Sequence, residues 1–192
     1  RDRPPRIAAE GVARRQEILD RAIEVFRERG AHGTSLRKIA EAIGVSHAAL
    51  LHYFDSREQL LVAVYKHAED SRVDSPDLRP GIDTMIEAAI KNVEVPGLVT
   101  LYSTLLAASL ETESGVGREF FTARFTGLRA TMTESLRRQQ AEGLVRDDVS
   151  AEHLASLLIA ASDGLQIQWL LDPAVGLEST LRTLGALLRP PA

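Results

Sequence analysis

The chain of 192 residues contains no cysteine, which excludes disulfide bonds, thiolate metal sites and cysteine nucleophiles. No apolar run approaches the ~20 residues that a membrane-spanning helix needs, and no signal peptide is visible in the sequence. From these absences we expect a soluble cytoplasmic protein. The length leaves room for one or two helical domains with a substantial core.

Motifs of common enzyme classes are also missing. The sequence has no G-x-S-x-G, G-x-x-x-x-G-K-[ST] or G-x-G-x-x-G pattern. None of the five histidines belongs to an H-E-x-x-H motif, and His47 and His52 are too far apart in register to stack as two metal ligands on one helix face. Asp147 and Asp148 precede a helix and are more simply capping residues. We therefore expect no catalytic residue, no metal site and no cofactor.

Residues 34–57, TSLRKIAEAIGVSHAALLHYFDSR, carry the most informative pattern in the chain. They predict two short helices joined by a tight turn at Gly44, a residue that tolerates positive φ. We expect Val45 to fill the space between the two helices and Ser46 to cap the second one, which runs over residues 47–53. Two helices with this spacing can place one of them in a DNA major groove.

Longer helices are predicted on both sides of this pair. Residues 14–29 place apolar side chains on one helical face and Arg and Glu on the other. After the pair, Asp55 and Glu58 form a possible capping box for a helix that extends through Tyr65. The pattern predicts a compact three-helix unit.

The run from Ile18 to about Lys66 resembles the DNA-binding domain of the TetR family of bacterial transcriptional repressors. The matching residues are Ala22, Phe26, Gly30, Thr34-Ser35, Ile39-Ala40, Gly44-Val45-Ser46, Tyr53-Phe54, Glu58 and Leu60-Leu61. The resemblance implies an all-α protein of about nine helices, with an N-terminal three-helix helix-turn-helix domain and a larger helical bundle for ligand binding and dimerisation. We place the first domain, with a disordered N-terminal arm, at residues 1–70 and the second at residues 71–192.

The resemblance and the helical register together indicate how the chain contacts DNA. The recognition helix presents His47 at its front, where this long polar side chain can read bases, and small residues at 48 and 49 let the backbone approach the groove. Leu51 stands where many family members carry a tyrosine that touches the DNA backbone, so that contact is lost here. The candidate DNA-binding residues are Thr34, Ser35, Arg37, Ser46, His47, Ala48, Ala49, His52, Tyr53 and Arg57.

Most of the other candidates are expected to hold phosphates. Thr34, Ser35 and Arg37 lie at the start of the first short helix, where hydroxyls, a guanidinium and unpaired N–H groups can bind them. Arg57 replaces the lysine that is usual in the family and keeps its charge. Thr34 and Ser35 can equally be helix caps and nothing more.

The net charge of −4 conceals an uneven distribution. Residues 1–67 hold 12 basic and 9 acidic side chains, a net of +3, whereas residues 68–192 hold 11 and 18, a net of −7. The positive part is the one that would meet DNA. Within it, the first fifteen residues are expected to form an arm that becomes helical near residue 10 and either reaches a minor groove or contacts nothing.

Beyond a boundary near residues 71–81 the periodicity predicts five more helices. They span about 81–94, 96–113, 117–142, 151–171 and a last helix that Asp172-Pro173 starts and that ends near Leu188. The last two are apolar on more than one face and must bury more than one face. They either form a four-helix interface with a second copy, which the resemblance favours, or only close the monomer core. The candidate interface residues are Leu154, Leu158, Leu165, Leu181, Leu184 and Leu188.

The family resemblance implies that this second part binds a small-molecule effector that switches DNA binding. Its aromatic and apolar residues are the candidates for the walls of that pocket. A largely apolar ligand would suit such walls, with Arg124 available for a carboxylate, although an aromatic stripe at helical spacing is more often core. The candidates are Tyr102, Leu105, Leu106, Ser109, Phe120, Phe121, Arg124, Phe125, Leu128, Gln166 and Trp169.

The sequence therefore predicts a homodimeric repressor that a small molecule releases from a near-palindromic DNA operator. Three alternatives stay open. The protein can be a repressor without a ligand, an activator with the same DNA-binding domain, or a ligand-binding helical protein whose DNA site has decayed.

Overall fold

A computed structural model describes residues 6–29, 36–70, 81–95, 97–111 and 113–190. This part of the chain contains nine α-helices and no strand, which confirms the all-α prediction. The helices are α1 (Arg6–Arg29), α2 (Leu36–Ala42), α3 (His47–Tyr53), α4 (Arg57–Asp70), α5 (Ile82–Glu94), α6 (Leu98–Leu110), α7 (Val116–Ala141), α8 (Ala151–Leu171) and α9 (Leu177–Leu187).

The helices gather into two compact units. The first unit consists of residues 1–74 and 96–118, and so contains α1 to α4, α6 and the start of α7; the second consists of residues 75–95 and 119–192. The division drawn from the sequence at residue 71 assigns α6 to the second domain, whereas in the structure α6 packs on α1 and α4. The boundary itself falls on residues outside the described ranges and stays a prediction.

The apolar character of α6 explains why it joins the first unit. Leu98, Leu101 and Leu105 are buried, and the ring of Tyr102 lies 5.5 Å from that of Tyr65 on α4. Burying each large apolar side chain stabilises the fold by about 1.5–3 kcal/mol. The rest of this core comes from α1 to α4, with Ile18, Leu19, Ala22, Ile39, Leu50, Phe54, Leu60 and Leu61 all nearly inaccessible to water.

The second unit is built on α8, which packs against α5 and α9. One apolar cluster joins Leu154 and Leu158 of α8 to Leu136 of α7 and to Leu188. A second cluster joins Ile86 of α5 to α9. By length and composition α8 could cross a membrane, contrary to our expectation that no segment would reach that length, but buried helices of globular cores pass the same test.

Apart from shifts of two or three residues at the ends of α6, three helix boundaries differ from the sequence predictions. Helix α1 already begins at Arg6 rather than near residue 10. Helix α9 begins at Leu177 rather than at Pro173, because the carboxylate of Asp172 accepts a hydrogen bond from Ala174 N at 3.0 Å and holds a turn there.

The cap of α4 is the third difference. Ser56 Oγ accepts a hydrogen bond from Gln59 N at 3.0 Å, and Gln59 Oε1 accepts one from Asp55 N at 2.6 Å. The cap is therefore formed by Ser56, one residue later than the predicted Asp55, while the Gln59 side chain reaches back to the backbone N–H of Asp55. This frees the Glu58 carboxylate to accept a hydrogen bond from Gly117 N at the start of α7, at 3.0 Å.

Candidate nucleic-acid interface

The turn between α2 and α3 has the geometry that the sequence predicted. Gly44 has a φ of +72°, and its N–H donates to the carbonyl of Glu41 at 3.2 Å. Val45 N donates to the carbonyl of Ala40 at 2.9 Å. These two bonds form a Schellman motif, which satisfies the last carbonyls of α2 and reverses the chain within two residues. The angle between the two short helices is thereby fixed by backbone bonds.

Helix α1 fixes this turn from outside. Arg21 Nη1 donates a hydrogen bond to the carbonyl of Ile43 at 3.2 Å, while its Nη2 lies 2.8 Å from Glu17 Oε1. Glu17 also pairs with Arg14. Sequence analysis missed this contact because Arg21 precedes the turn by 22 residues and looks like any charged residue on the outer face of α1.

Helix α3 is anchored by its inner face and capped at its start. Ser46 Oγ accepts a hydrogen bond from Ala49 N at 3.0 Å, which confirms the predicted N-cap. Leu50 and Phe54 are fully buried. The opposite face, which carries Ser46, His47, Ala48 and His52, is exposed to solvent, and Ala49 is half-buried beside it.

The remaining DNA-binding candidates lie on α2, at the end of α3 and at the start of α4. Arg37 is exposed in the first turn of α2, and Arg57 is half-buried as the first residue of α4. Tyr53 is half-buried, with its ring 5.0 Å from that of His52 in an edge-on contact. Leu51 is 41% exposed on the outer side of α3. Thr34 and Ser35 lie outside the described residues.

The structure separates the effector-pocket candidates between the two units. Tyr102, Leu105, Leu106 and Ser109 belong to α6 in the first unit, where Tyr102 and Leu105 are core residues and the Ser109 hydroxyl donates to Leu106 O at 2.7 Å. The candidates in the second unit are Phe120, Phe121, Arg124, Phe125, Leu128, Gln166 and Trp169.

Within the second unit these candidates differ in their surroundings. Phe121 is buried, with its ring 5.1 Å from Phe120 and 6.4 Å from Phe125. Gln166 is also buried, and its amide oxygen accepts a hydrogen bond from Asn92 Nδ2 at 3.0 Å. Trp169 lines an open cavity of about 560 Å³ formed with residues of α5 and the start of α9. The buried members therefore contribute to the core, whereas Trp169 borders space that a ligand could enter.

All six candidate interface leucines belong to the second unit, and four of them are buried in its core. Leu154, Leu158, Leu181 and Leu188 are at most 6% exposed, and Leu165 and Leu184 are half-buried against the same clusters. The alternative that these residues close the monomer core fits their burial. The large apolar side chains that α8 and α9 leave exposed are instead Leu157, Ile167, Leu171 and Leu187.

These features define a helix-turn-helix DNA-binding unit joined to a separate helical unit. A short helix with an exposed polar first turn is held at a fixed angle by a second short helix, and arginines stand at the starts of the two helices that flank it. The comparisons with known proteins agree with this class. Residues 18–64 match the family model of bacterial regulatory proteins of the tetR family, and residues 81–189 match that of the BetI-type transcriptional repressor C-terminal domain.

Individual proteins give the same result. The chain is 30% identical over 168 residues to the HTH-type transcriptional repressor Rv1474c of Mycobacterium tuberculosis, a match that covers 80% of this chain and 81% of that protein. Over 58 residues, 30% of this chain and 27% of the relative, it is 45% identical to the HTH-type transcriptional regulator RutR of Escherichia coli. The solved structure of Salmonella enterica GusR is 27% identical with a TM-score of 0.67, over 91% of this chain and 94% of GusR.

The chain belongs to the TetR family of bacterial transcriptional regulators. It is a DNA-binding transcriptional regulator, as the resemblance in the sequence implied, and its relatives are regulators rather than enzymes.

Proposed function

We propose that this protein is a cytoplasmic homodimeric repressor that binds a near-palindromic operator and leaves it when a small molecule binds. The observation that supports this most is the exposed face of α3, whose inner face and first turn are fixed by Leu50, Phe54 and the Ser46 cap. A rigid helix with exposed polar and small residues suits insertion into a major groove.

In this proposal each part of the first unit has a separate role on DNA. His47 reads base edges, and Ala48 and Ala49 let the α3 backbone approach them. Arg37 and Arg57 bind phosphates and set the register without reading sequence. Thr34, Ser35, Ser46, His52 and Tyr53 are proposed as further contacts around them.

The proposed dimer surface is the exposed apolar stripe of α8. At about 100° per residue, Leu157, Ile167 and Leu171 fall within roughly 80° of one another around the helix axis. Ala160 and Gly164 lie in the same sector, and a Cβ added at Gly164 would meet nothing within 4 Å. Small residues between large apolar ones allow a second helix to approach closely, and a two-fold pairing would match the symmetry of a palindromic operator.

Sedimentation velocity tests the dimer. Leu157→Glu and Leu171→Glu place a charge in the proposed contact without touching the core, since both side chains are more than half exposed. We expect both variants to sediment as monomers and the wild type as a dimer. Leu110→Glu, at a leucine 70% exposed on α6, is the matched control and should stay dimeric. If Leu157→Glu and Leu171→Glu both sediment as dimers, the exposed stripe of α8 is not the dimer interface.

The proposed effector is a small, largely apolar molecule bound in the second unit. SmeT, whose structure is similar in fold to this chain (TM-score 0.69, 22% identity, 91% of each chain), was solved in complex with triclosan, a largely apolar molecule. In this chain, Trp169 with Ile90, Val93 and Leu177 gives the cavity of about 560 Å³ an apolar wall. Release of a labelled operator by compounds that quench Trp169, the chain's one tryptophan, would support this site. Release without any change in that fluorescence would contradict it.

A further inference from the structure

The first unit contains a second cavity, in the groove between α1 and α4. It has a volume of about 360 Å³, within the range of small-molecule sites. Residues of α4 and α1 line the groove, together with Val116, the first residue of α7. The lining residues are Arg15, Gln16, Leu19, Gln59, Val62, Ala63, Lys66, His67 and Val116.

The lining of this groove has the chemistry of an anion site. Its apolar part includes the buried side chains of Leu19, Val62 and Ala63 and the more exposed Val116. Two permanent cations, Arg15 and Lys66, stand at its edge, and none of the nine lining residues is acidic. A carboxylate or phosphate placed there would meet two charged donors, whereas a cationic ligand would be repelled.

Contacts outside the cavity hold several of these side chains in place. The guanidinium of Arg15 lies 5.0 Å above the ring of Phe54. This cation–π contact restricts the positions that the Arg15 guanidinium adopts at the groove. Gln59 is fixed by the bond from Asp55 N, and His67 by Asp20 Oδ1, which lies 2.6 Å from its Nε2. A site arranged before the ligand arrives loses less conformational entropy on binding.

We propose that this groove binds a small organic anion, with its carboxylate or phosphate on Arg15 and Lys66 and its carbon skeleton on Leu19 and Val62. This site is separate from the effector cavity proposed for the second unit, and it goes beyond the proposed function. Through Arg15 the anion would be one side chain away from Phe54, the residue that follows the recognition helix. Binding to the purified protein can be measured without DNA, so the proposal stands or falls separately from operator recognition.

Isothermal titration of the full chain with succinate and with inorganic phosphate, at constant ionic strength, tests the site. We expect saturable binding of at least one of these probes, weakened about tenfold by Lys66→Gln or Arg15→Gln because each removes a charge-assisted hydrogen bond. Lys66→Arg should retain binding. Lys91→Gln, the same charge change on the exposed face of α5, is the matched control and should bind like the wild type.

Two results would overturn the proposal. One is the absence of saturable binding of either probe by the folded wild-type protein. The other is an equal loss of affinity in Lys91→Gln, which would mean that net charge and not the groove attracts the anion.

A phosphate of the DNA backbone is the other possible source of the anionic group. The salt dependence of binding to mixed-sequence DNA separates the two sources, because each lost phosphate contact flattens the slope of log K against log salt by ~1 unit. For a small-molecule site we expect Lys66→Gln to have the wild-type slope. A flatter slope would assign Lys66 to DNA and overturn the proposal.

Discussion

Arg21 on α1 donates a hydrogen bond from Nη1 to the carbonyl of Ile43, at 3.2 Å, and so ties the long first helix to the turn that sets the recognition helix. Ile43 directly follows α2, and the Schellman bonds use the carbonyls of Ala40 and Glu41, so neither of them occupies the carbonyl of Ile43. The orientation of α3 therefore depends on one side chain of α1 as well as on its own short turn.

Removing this tie should loosen the turn. Arg21→Ala is expected to lower the free energy of unfolding by about 1 kcal/mol, the usual value for one partly exposed hydrogen bond, and to weaken DNA binding. Urea denaturation and fluorescence anisotropy with labelled DNA measure the two effects. Arg182→Ala, which removes an exposed pair with Glu178 on α9, is the control and should change stability by less than about 0.5 kcal/mol. If the two substitutions lower stability and DNA affinity equally, Arg21 does not hold the turn.

Replacing Gly44 by alanine should lower the stability of the fold, whereas replacing a glycine inside a helix should raise it. At a φ of +72°, Gly44→Ala should cost about 1–2 kcal/mol, since a Cβ crowds the following carbonyl in the left-handed region. Gly127→Ala, inside α7 where nothing lies within 4 Å of the added Cβ, should stabilise by about 0.5–1 kcal/mol. Thermal or urea unfolding of the two variants checks this pair. A stabilising Gly44→Ala would contradict the turn geometry.

Arg37 and Arg57 are proposed to bind phosphates and not bases. Replacing either by Ala should weaken binding to all DNA sequences alike and flatten the salt slope by ~1 unit per lost contact. Filter binding or anisotropy across a salt series gives the slope. Arg129→Ala on the exposed surface of α7 is the matched control and should leave the slope unchanged. An unchanged slope in both test variants would show that these arginines do not touch DNA.

His47 is proposed to read bases from the front of α3. His47→Ala should change the preferred sequence at one position of each half-site, with a loss of about 1–3 kcal/mol in discrimination there. Competitive binding to operators that carry single base changes measures this preference. If the variant keeps the wild-type preference at every position, another residue reads the sequence.

Local signals in the sequence were enough to predict the helix-turn-helix. Gly44 and Ser46 determine their own turn and cap through bonds to residues within five positions, so their roles follow from the sequence alone. Arg21 and Arg15 act on residues more than 20 positions away, and no local pattern announces such contacts. The leucines of α8 illustrate the same limit, because helical periodicity places Leu157 and Leu158 on different faces without saying which face meets the monomer core.

The central claim, recognition of a specific DNA sequence by a two-fold dimer, is tested most directly by selecting bound fragments from a random DNA pool with the purified protein at near-physiological salt. We predict enrichment of a near-palindrome with a fixed spacing between half-sites, about one helical turn of DNA or a multiple of it. Enrichment of a single unrepeated site, or no enrichment at all, would contradict the claim.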